Sequence, residues 1–156
     1  MPATIRLDHR GLITCSSALR NNADVIEQAT HVAAAEELCR VLWDGRGTIE
    51  SLVRHHLRLG VGDFCVVAPC DRWTRGGFNV CVPVETRSRR SAHSPPTRLM
   101  FRCPMPHKLA EARHPGTVDE KLSCEVGTYV WMQDRCSDIR IPHLYCTALA
   151  SLTIAM

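Results

Sequence analysis

The sequence predicts an α+β fold: a small antiparallel sheet with one packed helix, preceded by N-terminal helices. Three observations lead there. Apolar residues recur at helical spacing from Val25 to Leu57. Between Phe64 and Cys103 the period falls to two, and from Val118 to Gln133 it becomes helical again. The chain has 156 residues, 45% hydrophobic and 22% charged, which suits one ordinary core rather than a disordered chain.

The first twenty residues show no clear period and receive no assignment. Asn22 can cap a helix running to about Trp43, with Val25, Ala29, Val32, Ala33, Leu38, Val41 and Leu42 along it. Asp44-Gly45-Arg46-Gly47 breaks that helix. Thr48 then starts a second one, with Ile49, Leu52, Val53, His56 and Leu57 on one face and Gly60 as its end. His55 and His56 are adjacent, and adjacent residues point about 100° apart on a helix. They read as one half-buried and one solvated imidazole, not as a metal pair.

Phe64 to Ala68 is a short β-rich run. After a loop rich in Pro, Asp, Arg and Gly, residues Phe78, Val80, Val82 and Val84 alternate on one face of a second strand. Two strands joined by a Gly-containing loop read as a hairpin, and Pro83 suggests a sheet edge or a strand end. Thr86 to Arg98 holds Arg87, Arg89, Arg90 and Arg98 with no acid, and reads as a solvated hairpin loop. Leu99 to Cys103 forms a third strand, stopped by Pro104 and Pro106. Thr117-Val118-Asp119-Glu120 is a capping box that opens the best-defined helix. Val118, Leu122, Val126, Tyr129 and Gln133 share one face of it. Glu125 lies at the edge of that face, while Glu120 points the opposite way toward water. Asp138 to Leu144 reads as a loop leading into a last strand, with Ile141-Pro142 at its start.

Bulk properties remove several classes of function. A net charge of +3 does not imply a nucleic-acid partner, and 5% aromatic content gives no stacking platform. Met1 to Arg10 has no apolar core suited to a signal peptide, and no apolar run approaches the roughly 20 residues of a membrane span. Nine cysteines spread from Cys15 to Cys146 read as reduced core residues of a cytoplasmic protein. Cys65 and Cys70 have four intervening residues, but Cys65 lies in a strand rather than a knuckle loop, and Cys136, His143 and Cys146 are widely spaced, so neither set reads as a structural zinc site. No cysteine sits in a recognisable nucleophile context.

Phosphate chemistry is the remaining candidate. A Gly-containing hairpin lets backbone N–H groups approach a nucleotide, a cation on the third strand neutralises phosphate charge, and a glutamate on the next helix orients that cation. The chain offers Gly76, Gly77, Phe78 and Asn79 at the hairpin, Arg102 on the third strand and Glu125 on the helix, in that order.

The runs Trp73 to Val84, Phe101 to Pro106 and Asp119 to Tyr129 together resemble the fungal branch of the aminoglycoside-phosphotransferase-like family. The resemblance covers roughly Ile49 to Tyr145. It implies a protein-kinase-like nucleotide-binding lobe, with Gly76, Gly77, Phe78 and Asn79 in the nucleotide loop. Arg102 takes the place of the phosphate-binding cation and Glu125 that of its helix partner. ATP with Mg²⁺ is the cofactor the resemblance implies, and a small hydroxyl-bearing molecule the acceptor. Gly77 departs from the pattern, where serine is expected.

The residues that would complete the chemistry are missing. No histidine is followed two places later by aspartate, and no Asp-Phe-Gly occurs. Beyond Tyr145 the chain carries no charge, and the resemblance stops. The expectation is therefore an N-terminal extension over 1–47, a kinase-like lobe over 48–145 and an unrelated apolar tail over 146–156, with the second lobe absent. Such a truncated phosphotransferase would be inactive alone; a non-enzymatic nucleotide- or protein-binding remnant is the alternative. Apolar surface left bare by the missing lobe would lower stability.

Overall fold

The computed structural model describes residues 3–7, 11–20, 25–89 and 97–147. The chain falls into two compact units, Met1–Asp44 and Gly45–Met156.

The first unit pairs β1 (Thr4–Leu7) with β2 (Gly11–Thr14) as an antiparallel hairpin, Thr4 opposite Thr14 and Leu7 opposite Gly11. A four-residue helical turn, α1 (Cys15–Ala18), follows, capped where Ser17 N–H donates to Thr14 Oγ1 at 3.2 Å. The long helix α2 (Val25–Asp44) buries Ala35, and the hairpin buries Leu7. Arg6 reaches Glu36 at 3.4 Å, an exposed pair. The stretch without a sequence assignment thus contains a hairpin. Its strands have four residues and only Leu7 is buried, too short an alternation to show a period. Asn22 lies outside the described residues.

The second unit opens with α3 (Arg46–His56), which starts two residues ahead of Thr48 and stops short of Gly60. Arg58, at φ 51°, turns the chain out of the helix. The sheet is formed by β3 (Phe64–Val67), β4 (Thr74–Arg75), β5 (Asn79–Arg87) and β6 (Thr97–Pro104), all antiparallel. β5 is the spine. β6 pairs along nearly all of it, from Asn79 opposite Pro104 to Thr86 opposite Thr97. β3 and β4 share the other edge, β3 against Val84–Arg87 and β4 against Val80 and Cys81.

This arrangement corrects the expectation for Pro83, which sits inside the central strand. Its carbonyl accepts from Ala68 N–H at 2.9 Å, so its backbone nitrogen faces the β3–β4 edge, at the gap between those two partners. No ladder bond is asked of that nitrogen, which is what makes proline tolerable there.

The two faces of β5 differ. Val80, Val82 and Val84 are fully buried, and Thr86 nearly so. Cys65 and Val67 on β3 join that face opposite Thr86 and Val84. Phe78, expected to continue it, precedes the strand and is exposed. Helix α3 docks here, with the Cys65 thiol donating to Glu50 O at 3.7 Å. The outward Val67 N–H donates to Glu50 Oε1 at 3.0 Å, which satisfies a donor on an edge strand. Burial also raises the Cys65 thiol pKa. Of the nine cysteines only Cys65 is buried; Cys15, Cys70, Cys124 and Cys146 are exposed, against the expectation of core thiols.

Helix α4 (Thr117–Arg135) follows, and its start is built differently from a capping box. Gly116 is the N-cap in a left-handed conformation, φ 97°, and Thr117 is the first helical residue. Glu111 does the capping. Its carboxylate accepts from Gly116 N–H at 2.7 Å, from Val118 N–H at 2.8 Å and from the Thr117 hydroxyl at 2.8 Å. Those bonds, led by the one from Gly116, hold the Glu111 carboxyl below its ordinary range. Glu111, six positions before Thr117, has displaced Glu120 from the role.

The last expected strand does not occur among the described residues. Residues 140–147 run without strand or helix, and Leu144 N–H donates to Gln133 Oε1 of α4 at 2.6 Å. Pro142 has no N–H to give, and the Leu144 amide is spent on the helix, so this segment lies along α4 rather than in the sheet. No residue of α4 is fully buried, so the helix rests on the domain less firmly than a packed core helix. The observed class is α+β with small antiparallel sheets. Among the described residues no helix is long and apolar enough to cross a membrane.

Candidate functional site

Arg102 belongs to β6 and stands directly opposite Cys81, which on its other side stands opposite Thr74. Directly paired residues share a sheet face, so Arg102 projects on the face away from Val80 and Val82. Helix α4 reaches toward it there. Arg102 Nη2 lies 3.9 Å from Glu125 Oε2, an ion pair longer than a hydrogen bond. The sequence assigned both residues and the inward direction of Glu125; Glu125 is half-buried and Glu120 exposed.

A third charge completes the cluster. Lys121, one turn before Glu125 on α4, forms an ion pair and hydrogen bond with Glu125 Oε1. Its side chain is 18% exposed, against 35% for Glu125 and 41% for Arg102. One carboxylate therefore holds two cations, and the cluster has a net charge of +1.

Beside it lies a small open cleft of about 250 Å³, lined by Arg102, Cys124, Glu125, Thr128 and Tyr129. Arg102 and Glu125 contribute to its wall, whereas Lys121 does not. The volume falls below the roughly 300 Å³ at which ligand pockets begin, so it suits a fragment such as a phosphate group rather than a whole nucleotide.

The glycine hairpin is at the same end of the sheet but does not line the cleft. By register, Thr74 lies two strand spacings from Arg102, about 10 Å. Gly76 N–H donates to Asn79 O at 2.8 Å, closing the turn and removing that amide from ligand binding. Phe78 is exposed, and its carbonyl accepts from Met105 N–H at 2.8 Å. Asn79 is buried. At Gly77 a Cβ would meet nothing within 4 Å, so a side chain as small as serine would fit there. Of the six assigned residues, Arg102 and Glu125 are brought together; Gly76, Gly77, Phe78 and Asn79 form a separate turn.

Sequence reasoning missed Lys121, Cys124 and Thr128 as neighbours of the pair, whereas Tyr129 shares the helix face that Glu125 borders. Lys121 had a signal, the i,i+4 spacing to Glu125. The others follow from the helical positions next to Glu125 once the side facing Arg102 is known. Magnesium does not fit this cluster. Glu125 is the one carboxylate of the cleft and is already paired with two cations, and no group of three or more His, Cys, Asp or Glu able to hold a metal occurs among the described residues.

The arrangement can attract and orient an anion. Its one carboxylate is paired with two cations, and Cys124 on its wall is an exposed thiol. Comparison with known proteins adds no relative: no protein-family model, curated protein or solved structure matches this chain.

Proposed function

We propose that the Gly45–Met156 unit is a nucleotide-binding lobe of the phosphotransferase type, holding a phosphate group of ATP against Arg102. One observation carries this reading: a strand arginine and a helix glutamate, far apart in sequence, meet at 3.9 Å beside an open cleft, in a cluster whose net charge with Lys121 is +1. Arginine is suited to phosphate by its planar fork of donors, and the cleft leaves part of that fork exposed.

Glu125 flanks Arg102 at the cleft wall, 3.9 Å away, near enough to orient the guanidinium without a hydrogen bond that would occupy it. Thr74, two residues before the glycine turn, lies about 10 Å from Arg102 by strand spacing, within the length of a triphosphate-bearing nucleotide. Phosphoryl transfer also requires a carboxylate at the acceptor hydroxyl and ligands for Mg²⁺. The 156 residues hold no His-x-Asp, so binding without turnover is the form of the reading favoured here. A cytoplasmic location belongs to the same proposal, since no disulfide joins the cysteines.

Calorimetric titration of ATP into the full chain tests the reading. Binding with a Kd on the order of 0.1–1 mM is expected, and Arg102→Ala should weaken it about tenfold, the worth of one charge-assisted contact. Equal affinity in wild type and variant removes Arg102 from the site. Phosphate release from ATP at a rate above the uncatalysed one would contradict binding without turnover.

A further inference from the structure

We infer that Lys121 is a positioning residue that keeps Arg102 available to an incoming phosphate by holding Glu125 from behind. The inference rests on the reading of the Arg102 cleft as a phosphate site and adds a device to it.

Glu125 holds its two cations unequally. Its Oε1 is in direct hydrogen bond with Lys121 Nζ, while Oε2 stands 3.9 Å from Arg102 Nη2. Lys121 is the more shielded of the two cations and does not line the cleft; Arg102 is the more exposed and does. The carboxylate is thus committed to a cation on its own helix and only loosely engaged across the cleft.

The i,i+4 order works against a merely helical explanation. A lysine placed before a glutamate is the weaker orientation of such pairs, because each charge then sits toward the wrong end of the helix dipole. The pair is nevertheless formed, at a point where its carboxylate faces a third charge from the sheet.

The energetic consequence is specific. A phosphate must compete with Glu125 for the guanidinium. If Glu125 had Arg102 as sole partner, the carboxylate would close on it as a bidentate pair, and binding an anion would mean breaking that pair. With Lys121 in place the carboxylate is already compensated, the cluster keeps its net charge of +1, and the Arg102 donors stay turned to the cleft. A single shielded lysine then sets the anion affinity of an arginine it does not touch.

Two measurements on the full chain test this. The first is a double-mutant cycle read by calorimetry with inorganic pyrophosphate and with ATP. Lys121→Met should weaken binding about tenfold in the native background and less than about twofold in the Glu125→Gln background, while Lys121→Arg should stay within about twofold of wild type. A purely through-space charge would cost the same in both backgrounds, and that result, or a Lys121→Met chain binding as wild type, overturns the inference.

The second needs no ligand: exchange of the Arg102 Nε–H with water, followed by NMR. It should slow in Lys121→Met as Glu125 closes on the guanidinium, and recover in Lys121→Met/Glu125→Gln. Unchanged exchange overturns the inference even where no anion binds. Failure of wild type to bind either probe, with the exchange behaving as expected, sinks the phosphate reading alone and leaves the Lys121–Glu125–Arg102 coupling standing.

Discussion

The two faces of one sheet divide the work of this domain. On one face Val80, Val82 and Val84 of β5 are fully buried, with Cys65 and Val67 of β3 beside them. On the other, Arg102 meets the loosely resting α4, while Phe64, Val66 and Met100 remain exposed. Strand alternation produces both faces from the same strands, so the core and the candidate site occupy alternate positions along them. The buried face has no room for a charge. The open face can carry three charges and a cleft because nothing packs tightly over it.

Val82→Asp should break the comparison most severely. It puts a carboxylate without a partner in the fully buried face and should cost more than about 4 kcal/mol, seen as loss of the cooperative thermal transition by circular dichroism. A cooperative melt near the wild-type temperature would show that this face is not the core. Met105→Ala comes next. Met105 is fully buried, with its N–H bonded to Phe78 O, and truncation should cost about 2–5 kcal/mol in urea unfolding.

How much of this was legible depended on whether the signal was local. The alternation of Val80, Val82 and Val84 lies within one strand, and the inward turn of Glu125 follows from 100° per residue, so both could be read from spacing. The meeting of Arg102 with Glu125 required the order of elements as well. Where sequence reasoning failed, a distant partner had taken over a local role. Glu111 caps α4 in place of Thr117 and Glu120, and Gln133 takes the Leu144 amide that a last strand would have used. Pro83 was misplaced because an edge position was inferred from its missing donor, and only the gap between β3 and β4 shows that a central strand can have one unneeded donor. The β1–β2 hairpin left no pattern, since its eight residues bury one side chain.

Glu111→Gln probes the open side through the helix that forms it. The folded state holds this carboxyl below its ordinary range, so the ionised form contributes stability above its unfolded pKa, and that contribution is lost as pH falls through the folded value. The variant should therefore melt below wild type at neutral pH and converge on it in acid. A constant difference across that range would mean that the carboxylate charge is not what caps the helix.

The open face should be far more tolerant. Arg102→Ala should change stability by less than about 1 kcal/mol, as expected of an exposed ion pair, while lowering phosphate affinity. Met100→Lys, at an exposed position beside Pro83, should fall within about 0.5 kcal/mol and reduce aggregation by interrupting the bare apolar surface. A loss comparable to that of Met105→Ala would mean that the second face is covered in solution.

Whether a phosphate binds on the open face, as proposed, is the most direct question. Backbone amide NMR during titration with inorganic pyrophosphate answers it residue by residue. Shift changes should cluster on Arg102, Cys124, Glu125, Thr128 and Tyr129, and should vanish in Arg102→Ala. Changes confined to the arginine-rich segment between Arg87 and Arg98, or none at millimolar pyrophosphate, would contradict a phosphate site on the open face.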